Sequence, residues 1–137
     1  MSRSGYSDDY DDHGALNRWR ANVKRAIGGQ RGQAFLRELA TSLDAMPVKE
    51  LVADAVGRDS AHVCAMGAVA LARGLDVSKV DPEDPEAVAK TFGIAGAMAC
   101  EIAFENDERN AWAGHQETPA ERWTRMRKWV SEHLAKT

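Results

Sequence analysis

The stretch over residues 62–74, HVCAMGAVALARG, constrains this chain more than any other. Val63, Cys64, Ala65, Met66, Ala68, Val69, Ala70, Leu71 and Ala72 leave no polar stripe at any angle around a helix, and a helix apolar all round belongs inside a protein. The segment falls well short of the roughly 20 apolar residues that a bilayer demands. It is therefore expected as a buried central helix wrapped by the others. Ser60 stands where its N-cap would fall, and Gly74 where a left-handed C-cap would close it.

The flanking sequence supplies the wrapping. Leu16, Trp19, Val23, Ala26 and Ile27 recur at helical spacing over 15–27 and predict a first helix ended by Gly28 and Gly29. After a flexible GGQRG link, Phe35, Leu36, Leu39, Ala40 and Leu43 predict a second helix over 33–45, stopped by Pro47. Residues 48–56 are read as a short helix, although their valines also suit an extended segment. A further helix is expected to begin near Pro82 or Pro85, with Glu83, Asp84 and Glu86 against its positive end. Another, over 94–105, carries Gly96, Ala95, Ala99 and Ala103, small enough to lie against the central helix. Residues 106–117 read as a polar loop. Thr118-Pro119-Ala120-Glu121 then reads as a capping box. It opens a final helix to about residue 134, with Trp123, Met126, Trp129, Val130, His133 and Leu134 inward and Arg122, Arg125 and Lys128 outward. With no repeat and no strand ladder, the expectation is all-α: a single compact bundle of about six helices around a buried central one. Residues 1–13 are expected as a disordered acidic tail and 14–137 as one helical domain.

Charge is distributed in blocks. Residues 1–13 set Arg3 against Asp8, Asp9, Asp11 and Asp12, whereas 14–45 carry Arg18, Arg20, Lys24, Arg25, Arg31 and Arg37 against Glu38 and Asp44. The middle of the chain is acidic, the end basic, and the total only −3. Such blocks can complement one another within one fold. Hydrophobic residues at 44% and charged ones at 28% exclude wholesale disorder. The first residues lack the apolar run of a signal peptide, and Cys64 and Cys100 sit in apolar segments, so a cytoplasmic protein with reduced thiols is expected.

Three stretches, VCAMGAVALARG, FGIAGAMACEIAFENDE and ETPAERWTRMRKWV, together with an MSRSGY start and RGQAFLRE, give the chain a likeness over nearly its whole length. It resembles a group of small proteins encoded in tailed bacteriophages and prophages. The resemblance implies an accessory protein acting in the bacterial host cytoplasm. Small phage proteins of that kind often bind host proteins, including defence systems such as CRISPR effectors, so an inhibitor of that type is within what the resemblance implies.

The residues themselves offer little catalytic chemistry. His62 and Cys64 are two apart and Cys64 and Cys100 lack a paired CxxC, so no metal site and no cofactor is expected. Gly28-Gly29-Gln30-Arg31-Gly32 follows a helix and lacks the ending of a phosphate-binding loop. Glu101 and Glu105, four apart, with Asp107, Glu108 and His115, are the one constellation for a small hydrolase. A solvated acidic face explains them more simply. Arg18, Arg20, Lys24, Arg25 and Arg31, around Trp19, form a candidate nucleic-acid patch, which Arg125 and Lys128 would join if the first and last helices were neighbours. The aspartates of residues 8–12 and the turn over 81–86 are candidate phosphate mimics, though tails and helix capping account for them. Trp112, in a loop beside His115, is a candidate binding anchor. The sequence thus points to a non-enzymatic protein that binds a host macromolecule, a protein or protein complex before a nucleic acid. The candidate contacts are Arg18, Arg20, Lys24, Arg25, Arg31, Trp112 and His115.

Overall fold

The interior is assembled by two long helices joined almost without a link. In the computed structural model, which describes residues 13–53, 57–59, 62–76, 80–107 and 117–135, α1 spans His13–Gly28 and α2 spans Gln30–Ala45. Gly29 alone separates them, in an extended conformation rather than the left-handed one expected of a glycine cap. The expected GGQRG link is therefore mostly helix. Gly32 is what the corner requires, since a Cβ there would meet the Ala26 carbonyl oxygen at 1.9 Å and that of Ile27 at 2.8 Å. α2 buries Phe35, Leu36, Leu39, Ala40 and Leu43 and packs on α1.

Past Pro47 the chain does not make the short helix expected over 48–56: residues 48–53 are non-helical, and 54–56 lie outside the described residues. The valines favour extended backbone instead, and the Val52 amide donates to the Val63 carbonyl at 2.9 Å. β1 (Gly57–Asp59) and β2 (His62–Val63) form a small antiparallel ribbon with an irregular register.

That ribbon consumes the start of the expected central helix. α3 covers Ala65–Arg73, nine residues, with Cys64 at the N-cap; Ser60 lies outside the described residues. Ala65 through Ala70 are buried, but Leu71 is 46% exposed and Ala72 and Arg73 face solvent. The all-round apolar rod is thus half a rod, and α2 is as central as α3. Gly74, at φ 71°, closes α3 as expected. Arg73 returns over the Phe35 and Phe92 rings and forms a two-toothed ion pair with Glu38, at 2.7 and 2.5 Å. Bonding by Arg73 holds the Glu38 carboxyl below its usual range.

α4 (Pro85–Phe92) begins at the second of the two expected prolines, with the Asp84 side chain accepting the Glu86 and Ala87 amides. Gly93, at φ 74°, ends it, and the chain bends by 106° into α5 (Gly96–Asp107). Ala99 and Ala103 are buried and α5 packs on α3, as its small residues predicted. α6 (Pro119–His133) starts with the expected capping box, Thr118 and Glu121 bonding each other's backbone amides. Its Trp123 Nε1 donates to the Leu43 carbonyl at 3.2 Å, and Arg127 grips Asp44 at 2.8 and 3.1 Å, fastening α6 to the end of α2. The six described helices make an all-α, compact bundle. Among the described residues no single helix is long and apolar enough to cross a membrane.

Candidate functional site

Arg18, Arg20, Lys24 and Arg25 are all exposed on α1, and Arg31 is exposed in the first turn of α2. Trp112 and His115 lie outside the described residues. The four α1 cations do not form one patch. A helix advances about 100° per residue, which sets Arg20 with Lys24 on one flank and Arg18 with Arg25 on the other, roughly 100–160° apart. The inward Trp19, Val23, Ala26 and Ile27 lie between them on the buried side.

The Arg20 and Lys24 flank borders a cleft of about 350 Å³. α1 contributes Arg20, Val23, Lys24, Ile27 and Gly28 to its lining, α2 Gln33, α5 Glu101, and α6 Glu132 and His133. Buried Val23 and Ile27 give it an apolar base, and both signs of charge surround that base. Gln33 fixes the geometry. Its side-chain amide donates to the Ile27 carbonyl at 2.9 Å and the His133 carbonyl at 3.0 Å, while its oxygen accepts the Ala135 amide at 2.7 Å. One buried side chain thus ties the ends of α1 and α6 to the start of α2. His133 was expected inward; it is exposed, with its ring 4.5 Å from that of Trp129. Its Nδ1 lies 2.8 Å from the Trp129 carbonyl, which can only accept, so the proton sits on Nδ1.

The candidate acid pair does not share a site, and the solvated acidic face expected in its place does not hold for Glu105. Glu101 lines the cleft, whereas Glu105, one turn along, is buried 3.8 Å from Arg125. Glu108 lies outside the described residues. Arg122 and Arg125 themselves turn inward, against the expectation that they face solvent, because backbone carbonyls and a carboxylate at this joint accept their N–H groups. Arg125 grips Glu117 at 2.6 and 3.0 Å, and Arg122 donates to the Asn106 carbonyl at 2.9 Å and the Leu51 carbonyl at 3.2 Å. Arg125 is therefore unavailable to a basic patch, while Lys128 stays exposed. Asn106, 1% exposed, completes the network by donating to the Val52 carbonyl at 2.9 Å and accepting the Ala65 amide at 3.1 Å. The acid-rich FENDE run signalled a polar cluster, but no local pattern places two arginines over it.

Both cysteines are free and buried. Burial, reinforced by the charges of Glu86 and Glu101, pushes the Cys100 thiol up to about 11, so it is neutral at physiological pH and a poor nucleophile. Among the described residues no group of three or more His, Cys, Asp or Glu converges to hold a metal ion. No family model, no curated protein and no solved structure matches the chain.

Proposed function

We propose that this chain is a non-enzymatic binding protein, a phage- or prophage-encoded accessory that engages a protein of its bacterial host through the cleft and the outer face of α1. The observation that carries this is the interleaving of Arg20 and Lys24 with Glu101 and Glu132 around the Val23 and Ile27 base. A polar rim of both signs over an apolar base suits a protein surface. A phosphate backbone instead favours an unbroken run of cations. The pairing of Glu105 and Glu117 with Arg125 gives those carboxylates a structural task and weakens the case for a hydrolase. An inhibitor of a host defence complex, which the resemblance implies, is the special case in which the partner is a defence effector.

Tagged protein incubated with nuclease-treated bacterial lysate is expected to retain one stoichiometric protein. The charge-reversed double variant Arg20→Glu with Lys24→Glu should lose it, and Lys90→Glu, on exposed α4 surface, should keep it. Retention by the double variant overturns the assignment of the surface.

A second function, direct nucleic-acid binding by Arg18, Arg20, Lys24, Arg25 and Arg31, is favoured by the absence of any acidic residue between His13 and Arg37. Gel-shift titration at two salt concentrations separates the two. A shift that weakens steeply with salt supports the second, and no shift at low salt removes it.

A further inference from the structure

The cleft beside α1 has its donors and its acceptors on opposite sides. α1 and α6 both pack on α2 and on α5, and the cleft is the space left between their ends. Along the α1 side stand Arg20 and Lys24, one turn apart, which only donate. Along the other stand Glu132 and His133 of α6, with the charge of Glu101 added from α5. A carboxylate only accepts, and His133, whose Nδ1 proton goes to the Trp129 carbonyl, has an acceptor left at Nε2. Between the two sides lie buried Val23 and Ile27, beside Gln33 with both of its amide N–H groups engaged. The floor therefore offers hydrocarbon contact. At about 350 Å³ the cleft is near the small end of the range for ligand pockets, roughly 300–1,000 Å³. That is room for a side chain or two, whereas two turns of a helix about 10 Å across fill more than twice as much.

We propose that the cleft takes an extended segment of the partner protein that carries an aliphatic side chain between an acidic and a basic one, each two residues away, and lies across the cleft with the aliphatic group on Val23 and Ile27. The spacing follows from strand geometry. In extended backbone every second side chain shares a face, about 6.6 Å from the next. One such segment sets its carboxylate against Arg20 and Lys24, its alkyl group on the floor, and its cation against Glu132 and His133. It can run in either direction, because its charges sit at its two ends. A segment with the same sign at both ends meets one matched side and one opposed side. The inference rests on the proposed reading of the cleft as a protein-binding surface and adds the chemistry of the segment that enters it.

Titration of the isotope-labelled full chain with capped synthetic pentapeptides at low salt, followed by NMR at the Val23, Ile27 and Gly28 amides, tests this. Glu-Ser-Leu-Ser-Lys is the matched peptide, and Glu-Ser-Leu-Ser-Glu, Lys-Ser-Leu-Ser-Lys and Glu-Ser-Ser-Ser-Lys each change one element of it. The matched peptide is expected to bind about three- to tenfold tighter than each of the others. In the variant Arg20→Glu with Lys24→Glu, both of them exposed positions, the two sides are acidic, and the preference should move to the dilysine peptide. Gly28→Leu leaves every charge in place. A Cβ there meets nothing within 4 Å, so the residue is accommodated, and at the edge of the cleft it should abolish binding of all four peptides. Equal affinities, a preference that the double variant does not move, or tightest binding by the diacidic peptide, the mark of a polyanion surface, would overturn the proposal. So would shifts of the same amides on raising the protein concentration alone, which would make a second copy the occupant. No host protein enters the titration. A partner captured through Arg20 and Lys24 while the peptides bind equally would sink this inference alone, and matched binding with no captured protein would sink the proposed function alone.

Discussion

The side-chain oxygen of Asn106, near the end of α5, accepts the backbone amide of Ala65, the first residue of α3, at 3.1 Å. Cys64, at the N-cap position, makes no side-chain cap of its own. The acceptor that a Ser or Asp would supply locally comes instead from a helix 41 residues further along the chain. The same Asn106 amide donates to Val52, so one side chain closes the helix start and the non-helical segment beside it. Removing it leaves a buried N–H and a part-buried carbonyl without this partner, and such a loss costs about 1–3 kcal/mol where the group is fully buried and less where water can reach it. Asn106→Ala is therefore expected to lower stability by about 2–4 kcal/mol in urea unfolding. Asn106→Asp should not rescue it. An aspartate can still accept from Ala65, but it faces the Val52 carbonyl with nothing to donate. Wild-type stability in either variant would refute the shared cap.

Gly32 and Gly96 both sit where a side chain would collide, and the collisions differ in kind. At Gly32 the obstacle is the α1 backbone, at 1.9 and 2.8 Å, and cannot yield unless the two helices part. At Gly96 it is the carboxylate tip of Glu86, at 2.5 Å, which can swing away. Gly32→Ala is expected to cost about 3 kcal/mol or more, beyond the usual range for overpacking. Gly96→Ala is expected to stay within about 1 kcal/mol of wild type, because alanine's better helix propensity offsets the displaced side chain. Equal costs in thermal or urea unfolding would contradict the difference.

Where a structural instruction is carried by residues close in sequence, it was legible. The Thr118 capping box, a start of α4 at one of the two prolines Pro82 and Pro85, the left-handed Gly74 and the small-residue face of α5 were all readable, because each depends on chemistry within a turn or two. What failed depends on distant partners. The boundary of α3 is set by Val63 pairing with Val52 and by Asn106, neither of which leaves a periodic trace in HVCAMGAVALARG. Gly32 looked like a hinge because sequence cannot distinguish a glycine that frees the backbone from one that admits another helix. Arg122 and Arg125 looked solvated because polar residues on an amphipathic helix usually are, and only the fold sets Asn106, Glu117 and Leu51 beneath them. At the candidate site the exposure of the α1 cations was legible. Their division into two flanks follows from helical geometry, whereas the acids that face one flank come from α5 and α6.

The raised Cys100 thiol predicts a stability loss on the alkaline side. The unfolded chain releases this proton near the ordinary thiol value of about 8.5, while the folded protein holds it to about 11. Between those limits the native state binds more protons than the unfolded one, so stability falls as pH rises. Full stability from this group is present below the unfolded value and lost through the folded one. Urea midpoints measured at pH 8 and pH 10 are expected to fall further for wild type than for Cys100→Ala, which has no proton to retain. Glu101→Gln should shrink the wild-type loss, since the Glu101 charge helps hold the thiol protonated. Identical pH dependence with and without the thiol would show that Cys100 titrates alike in both states.

The cleft acids supply the remaining prediction, because they separate a protein-binding surface from a polyanion-binding one. Glu101 and Glu132 share the cleft with Arg20 and Lys24, so a phosphate backbone brought to this flank meets repulsion and attraction together. If that balance keeps polyanions away, Glu101→Gln with Glu132→Gln should turn the flank uniformly basic without touching the cations. The double variant is expected to shift a short DNA duplex at low salt where wild type shifts it weakly or not at all. Its affinity should fall linearly in log–log form against salt, with a slope that reports roughly one released counterion per phosphate contacted. Host-protein capture should weaken in the same variant, since half of the rim's charge pattern is gone. Unchanged DNA binding together with unchanged capture would mean that neither ligand reads this cleft. The outer Arg18, Arg25 and Arg31 surface would then be left to carry recognition alone.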